Sequence, residues 1–545
     1  MKKFTAILLA VVMVFALGAS AFAADTTPVT TKAVDTTLSV TVDYTIEGLY
    51  FDGTTLKSSA TNGYYPFNFS FIVSDRTAVG SITVSNGGSF AWASDSEDSE
   101  TESTTTTYGL VTLPTTSAST VTVTSASGNT LTISCAQPNG GTTAAGTALY
   151  AYLPAPAQFV NEGVTTGGWG DAYDSNGAVK ATGSTGVSLG FFGGYAVYKF
   201  ENPIADDPTH PYGADFIVYG NAFWNNSEAG CIQVSKDGTT WYDIAGSMYY
   251  TKSTKGATIT YTNPNPSEDK GITAAASNKG TLAPVKYTLN GGAEQEITTN
   301  SFHNHSWFPL NANYFVDSGT RKEMAKVDEF SFVSRTLNSD NITSTLTFKG
   351  TLLTDYPGTG KTDQIGFGYC DVHPNRTLGS TIAYNPYQTF TSSSDYNTKT
   401  EGTGGGDPID IAWAVKPNGT PANLGSIKYV RIYTGMAQMN GIFGEISTEV
   451  CGVAACTGST TETAATPTIT VNGVEKTAAN GKLTRVTELG SSTCTVTASG
   501  NGYVYINGVA TTSATFTPTE NGTPVQIIVQ NGEAAPYIAW LLLRA

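Results

Sequence analysis

Chemistry in this chain has to be built mainly from carboxylates, amides and aromatic rings, because histidine occurs only four times in 545 residues. Two of those histidines form His303-Asn-His305, which puts two imidazoles on one side of an extended chain, since strand side chains alternate. Cys370-Asp-Val-His373 adds a thiol and an imidazole at a turn-compatible spacing. Zinc takes a tetrahedral N/S set of this kind, but nothing in the spacing brings the two motifs together. Oxygen ligands are denser around residue 220, where Asp215, Asn221, Asn225, Asn226 and Glu228 gather near predicted loops. Calcium takes six to eight oxygens from such side chains and from backbone carbonyls. The D-x-D-x-D-G spacing of an EF-hand is missing, so the type of residue points to calcium while the position stays open. Calcium is therefore the first cofactor expected and zinc the second, with Asp215, Asn221, Glu228, His303, His305, Cys370 and His373 as candidate ligands.

For an organic ligand, Trp169, Trp224, Trp307 and Tyr369, with Asn225 beside them, are candidates to stack on and hydrogen-bond a sugar. The competing reading of each ring is core packing, since Trp is mostly buried. Catalytic signals are sparse. Ser188 stands in Gly186-Val-Ser-Leu-Gly190, which has the letters of G-x-S-x-G but leads into a further strand rather than the helix that a nucleophile elbow needs. Glu228, Glu445 and Glu449 are the carboxylates from which a glycosidase pair, about 5–9 Å apart, would be drawn.

The elements that position these residues are strands. From Leu38 the run LSVTVDYTIEGLYF alternates apolar and polar, and FNFSFIVS, GSITVS, STVTVTS and NTLTISC follow between Gly, Asn and Ser clusters. Residues 37–140 therefore read as an Ig-like sandwich. Its acidic stretch Asp95 to Glu102 reads as a solvated hairpin tip or a weak calcium loop. Residues 150–455 are dense in Gly, Asn and aromatic residues, with strands such as YAVYKF, DFIVYG, CIQVSKDG, STLTFKG and IKYVRIYTG. A jelly-roll sandwich with long loops fits them, and only the stretch around RKEMAKVDEF has room for a helix of more than one turn. A Thr-rich linker (456–466) then leads into a small Ig-like domain, 467–545. The predicted fold class is all-β, a central jelly-roll-like sandwich flanked by Ig-like sandwiches.

Composition narrows the setting. Only 13% of residues are charged, and the net charge is −16, too acidic for phosphate-backbone neutralisation and hence for nucleic acid. Lys2 and Lys3, the apolar run Ala6 to Leu17 and Ala21-Phe-Ala23 have the layout of a secretory signal (1–23, with a short linker at 24–36). The expectation is an exported protein, extracellular or on the cell surface, with no transmembrane segment after signal removal. Six cysteines in an exported chain permit disulfides; of the fifteen possible pairings, Cys451–Cys456 is the one favoured, as closing a short loop.

Four elements in order, SLGFFG (188–193), DFIVYGNAF (215–223), VSKDGTTWY (234–242) and GEISTE (444–449), resemble those of a family of bacterial cell-surface proteins over roughly residues 150–452. The resemblance implies a surface location and an all-β domain rather than an activity. Val234 to Trp241 is also similar to the strand-turn-strand of discoidin-like carbohydrate-binding modules, with Asp237-Gly238 at the turn and Trp241 packing back across it. It is one residue short of a sialidase Asp-box. The functional expectation is a non-enzymatic protein whose central domain binds a glycan or cell-wall polymer. An exported carbohydrate-active enzyme and a structural component of an outer layer are the alternatives.

Overall fold

The computed structural model describes residues 28–42, 48–59, 65, 68–92, 107–114, 117–138, 147–160, 169–170, 186–222, 226–264, 284–300, 306–309, 314–317, 320–323, 330–340, 342–354, 366–373, 381–382, 384–388, 390 and 406–545. The signal-like segment, the acidic stretch 95–102, Trp224, Asn225, His303 and His305 lie outside them. The chain is all-β: among the described residues the helical elements are single 3-10 turns, such as Pro211–Gly213 and Ile411–Trp413. The stretch with room for a helix begins instead as a strand, Thr320–Glu323. No helix among the described residues is long and apolar enough to cross a membrane.

The N-terminal region packs two five-stranded sheets face to face. Its strand Ser119–Ser125 shows why alternation predicts this geometry: Val121 and Val123 enter the core while the threonines between them stay half exposed.

The central region is organised by one eight-stranded sheet. Its middle strands, Tyr195–Ala205, Ser426–Thr434 and Gly230–Ser235, are antiparallel neighbours. These strands are buried almost without interruption, because both faces of the sheet are covered. Alternate residues feed two separate cores. Ala196, Tyr198, Phe200, Val430 and Ile432 enter one, whereas Tyr195, Val197 and Tyr433 enter the other. The second core is closed by a five-stranded sheet that includes Ser253–Thr262, Thr343–Leu353 and Val333–Leu337.

The C-terminal sandwich joins the first core. Strand Tyr537–Leu543 sends Ala539, Leu541 and Leu543 into its own core and Ile538 and Trp540 into the central one. Tyr505 donates a hydrogen bond to Tyr387 O (2.6 Å), and Asn385 Nδ2 donates to Gln530 Oε1 (2.7 Å). The C-terminal sandwich is thus docked on the central region through apolar packing and specific hydrogen bonds.

All six cysteines are buried free thiols, which corrects the expected Cys451–Cys456 pairing. The segment between them, Gly452–Ala455, is a strand paired with Phe216–Tyr219. Five steps of extended chain span roughly 16 Å, whereas bridged cysteines need Cα atoms within about 7 Å.

Candidate functional site: a cleft between two sheets

The hairpin singled out in the sequence builds one wall of a cleft. Gly230–Ser235 pairs with Tyr242–Ile244 through Gln233 opposite Asp243 and Val234 opposite Tyr242. Asp237 closes the connecting loop: its Oδ1 accepts from the Thr239 and Thr240 N–H groups (both 2.8 Å) and from Ser235 Oγ (3.0 Å). Gly238 takes the left-handed φ of +77° that this turn requires. Trp241 then folds back, its Nε1–H donating to Gly238 O at 3.1 Å. The hairpin is therefore rigid, and Trp241 is held half-buried with its ring edge-on to Phe332, 5.7 Å between centroids.

Register places a polar row behind this hairpin. Gln233 lies opposite Asp243 on one side and Arg431 on the other, so the three side chains share one face of the sheet. Gln233 bridges its neighbours: Nε2 donates to Asp243 Oδ1 (2.7 Å), and Oε1 accepts from Arg431 (2.7 Å). From the facing sheet, Thr351 Oγ1 donates to Asp243 Oδ2 (2.9 Å), and Lys349 O accepts from both Arg431 NH groups at 3.3–3.4 Å. The Arg431 guanidinium, fully buried, sits 3.6 Å from the Phe332 ring centroid and 4.1 Å from that of Tyr433. Burial raises the Asp243 carboxyl above its ordinary value, while hydrogen bonds from Gln233 and Thr351 and the charges of Arg431 and Lys255 oppose the rise. Burial also lowers the Lys255 ammonium, with Asp243 opposing.

The result is a cleft of about 380 Å³ between the two sheets, lined by Trp241, Phe332, Tyr249, Gln233, Asp243 and Lys255 among others. Its volume lies within the range of small-ligand sites, and its make-up of aromatic walls with a few fixed polar groups is theirs as well. Among the described residues, Asp243 is its single lining carboxylate. Gln233, Asp243, Lys255 and Arg431 were not anticipated from sequence. The available signal was the placing of Gln233 and Asp243 at mirrored positions around the Asp-Gly turn.

The residues that were anticipated lie elsewhere. Trp307 is 4% exposed and packs with Ala157 and Val160, and Tyr369 is 2% exposed with its hydroxyl accepting from Met248 N–H at 3.0 Å. Neither presents a stacking face to solvent. Trp169 stands in a two-residue strand paired with Gly186. Cys370 and His373 are buried with different partners. The thiol faces Glu449 O at 4.0 Å, while His373 Nδ1 lies 2.7 Å from Asp407 Oδ1.

Glu228 is brought together with Asp371 and Glu449, each offering a carboxylate oxygen within 4.8 Å of the others. Asp371, at a left-handed φ of 62°, accepts from the Asn221 N–H at Oδ1 (2.7 Å) and from the Glu449 N–H at Oδ2 (3.1 Å). Gly220 makes room for it, since a Cβ there would sit 2.4 Å from Asp371 Oδ1. Ser188 and Ser447 donate to Glu449 Oε1 (3.0 and 3.3 Å). Burial and neighbouring carboxylates push Glu228 up to about 8, Asp371 (with Asp407 as the neighbour) up to about 7 and Glu449 well above its ordinary value. This cluster has the oxygen chemistry to hold a divalent cation. As a glycosidase pair, Glu228 and Glu449 are closely set, with carboxylate oxygens within 4.8 Å where that chemistry needs roughly 5 Å or more between the carboxyls. Glu445 is buried too, its Oε1 accepting from the Gln158 N–H at 2.7 Å. Asp215 belongs to a separate cluster with Asp206 and Asp410. No protein-family model matches the chain, and no curated protein matches it.

Proposed function

We propose that the chain is an exported surface or secreted protein whose central region binds a glycan, without transforming it, in the cleft between the eight-stranded and five-stranded sheets. The observation that carries the reading is the cleft's composition: the half-buried Trp241 beside a hydrogen-bonded Asp243–Gln233–Arg431 row. An aromatic wall suits the apolar face of a sugar ring. Fixed carboxylate, amide and ammonium groups suit its hydroxyls. Hydrolysis of a glycoside needs two opposed carboxyls, and the lining supplies one among the described residues. The signal-like N-terminus and the low-charge, Thr-rich strands support an extracellular setting.

The test is calorimetric titration of the full chain with glycans that bind on an array, beside Trp241→Ala and Gln233→Ala. Binding that weakens at least about tenfold in both variants, with no release of reducing sugar, is expected. Binding indifferent to both substitutions, or measurable hydrolysis, overturns the proposal.

A further inference from the structure

The cleft runs against the charge of the chain. The net charge is −16, yet the charged side chains among the described lining residues are Lys255, Lys349 and Asp243. Asp243 is already answered from within the protein. Its Oδ1 and Oδ2 accept from Gln233 and Thr351, and Gln233 links it to the Arg431 guanidinium. With that carboxylate balanced by Arg431, the lysines are left as a positive surplus. Among the described residues neither is ion-paired to a carboxylate, whereas Lys57 and Lys286 pair with Asp52 and Glu294.

A second observation concerns the backbone that carries Lys255. The strand Ser253–Thr262 pairs regularly with Thr343–Leu353 except at one point. Thr254 lies opposite Leu352 and Ala257 opposite Gly350, so Lys255 and Gly256 together face Thr351. This is a β-bulge, a distortion that re-aims side chains and is concentrated at sheet edges and beside active sites. Gly256 supplies the left-handed φ of +64° at the bulge, and both bulge residues line the cleft. The ammonium of Lys255 is then fixed in place. It donates to Tyr249 O and lies 4.4 Å from the Tyr249 ring centroid. One of its three N–H groups is thereby used, and two remain for a ligand. Thr351, across from the bulge, is the residue that donates to Asp243, so the surplus cation and the balanced row belong to one site.

We propose that the cleft selects acidic glycans, those whose sugar carries a carboxylate or phosphate group, with Lys255 as the residue that receives the anion. This rests on the glycan reading above and names the class of glycan. Trp241 supplies the wall for the ring, Lys255 the charge-assisted hydrogen bonds, and exposed Lys349 a weaker, solvent-screened attraction.

The experiment is calorimetric titration of the full chain with three ligands of one length: an oligosaccharide of hexuronate units, its carboxyl-reduced neutral counterpart and a phosphorylated oligosaccharide. The hexuronate and phosphate arms separate the two sources of the anion. At least one acidic ligand should bind about tenfold or more tightly than the neutral one, and added salt should shrink that preference. Lys255→Gln should weaken the acidic ligand about tenfold and leave the neutral one within about twofold, while Lys255→Arg keeps the preference. Lys349→Gln should cost the acidic ligand about two- to fivefold. If Lys255→Gln does not fold, Lys255→Arg, the salt dependence and the carboxyl-reduced ligand still decide. Neutral ligand bound as tightly as acidic, an acid preference that survives Lys255→Gln, or acidic binding indifferent to Trp241→Ala overturns this inference while neutral, Trp241-dependent binding leaves the glycan reading standing. Absence of binding by every glycan, charged or neutral, removes both.

Discussion

Glu445→Gln isolates the energetics of one buried carboxyl. Glu445 is 4% exposed, and its Oε1 accepts from the Gln158 N–H at 2.7 Å. Burial pushes its carboxyl from the ordinary 4.5 up to about 7, with the Gln158 N–H opposing the rise. A folded-state value above the unfolded one means that the native protein holds more protons than the unfolded chain between these values. Stability from this group is therefore fully present below about pH 4.5 and is lost as pH rises through about 7. At about 1.4 kcal/mol per pH unit, the full loss is about 3 kcal/mol, most of it falling between pH 5 and pH 8. Glutamine retains the oxygen that accepts from Gln158 and has no charge to bury. The variant should match wild type within about 1 kcal/mol at pH 5 and exceed it by about 2–3 kcal/mol at pH 8. Removing the charge also relieves Glu228, on which Glu445 acts repulsively, and this works in the same direction. The assay is urea-dependent hydrogen exchange of the strand Tyr195–Ala205 at pH 5, 6.5 and 8, which reports the central region without assuming that the whole chain unfolds in one step. Wild type should still lose stability with rising pH in metal-free buffer, because Asp206 and Asp371 are also raised to about 7. Parallel pH profiles for variant and wild type, or a variant that is weaker at pH 8, would refute the reasoning.

Arg431→Met should cost about 3–5 kcal/mol by thermal denaturation, since it leaves Gln233 Oε1 without its charged donor and removes the guanidinium from between Phe332 and Tyr433; a loss under about 1 kcal/mol would show that the row is not held by its cation. All six thiols should resist alkylation until the protein unfolds, and a reducing agent should leave the melting temperature unchanged, as buried free cysteines require. Gly190→Ala should cost about 3 kcal/mol or more in a urea titration. The residue sits at a φ of +72°, and an added Cβ would lie 2.0 Å from Ala155 O.

What the sequence made legible follows from sequence distance. STVTVTS announces a half-buried strand because its neighbours along the chain already define the two faces. IKYVRIYTG reads as a strand too, but its apolar run hides that both of its faces are covered, and an arginine inside such a run was the unused hint of a buried polar row. Asp371 and Asn221 meet across 150 positions, and Ile411 N–H and Asp215 across 196. No local pattern records such pairings, so Asp371, Asp407 and Asp410 stayed invisible while Asp215 and Glu228 were noticed for their neighbours in the chain. Trp307 and Tyr369 were readable as aromatic residues but not as core, because burial depends on which loop lies above them.

The buried charges pose a sharper question than the exposed ones. Among the described residues, seven carboxylates are buried, namely Asp207, Asp215, Asp371, Asp407, Asp410, Glu445 and Glu449, against one guanidinium, Arg431. Uncompensated, such an excess would oppose folding, so each carboxylate needs a donor, a proton or a cation. Asp207 has the Thr209 N–H and hydroxyl, Asp407 has His373 and the Val372 N–H, and Glu445 has the Gln158 N–H. Such partners let these groups lock loops as ordinary hydrogen-bond acceptors. Asp371 and Asp215 also accept two backbone N–H groups each, yet both still face further carboxylates at close range. Backbone donors can therefore account for the shape of these two clusters but not for their charge. The upward shifts of Glu228 and Glu449 show one way to remove the excess, a bound proton. At Asp215 the imidazole of His210 offers another, with Nδ1 3.4 Å from Asp215 Oδ1 and Nε2 3.6 Å from Asp207 Oδ2.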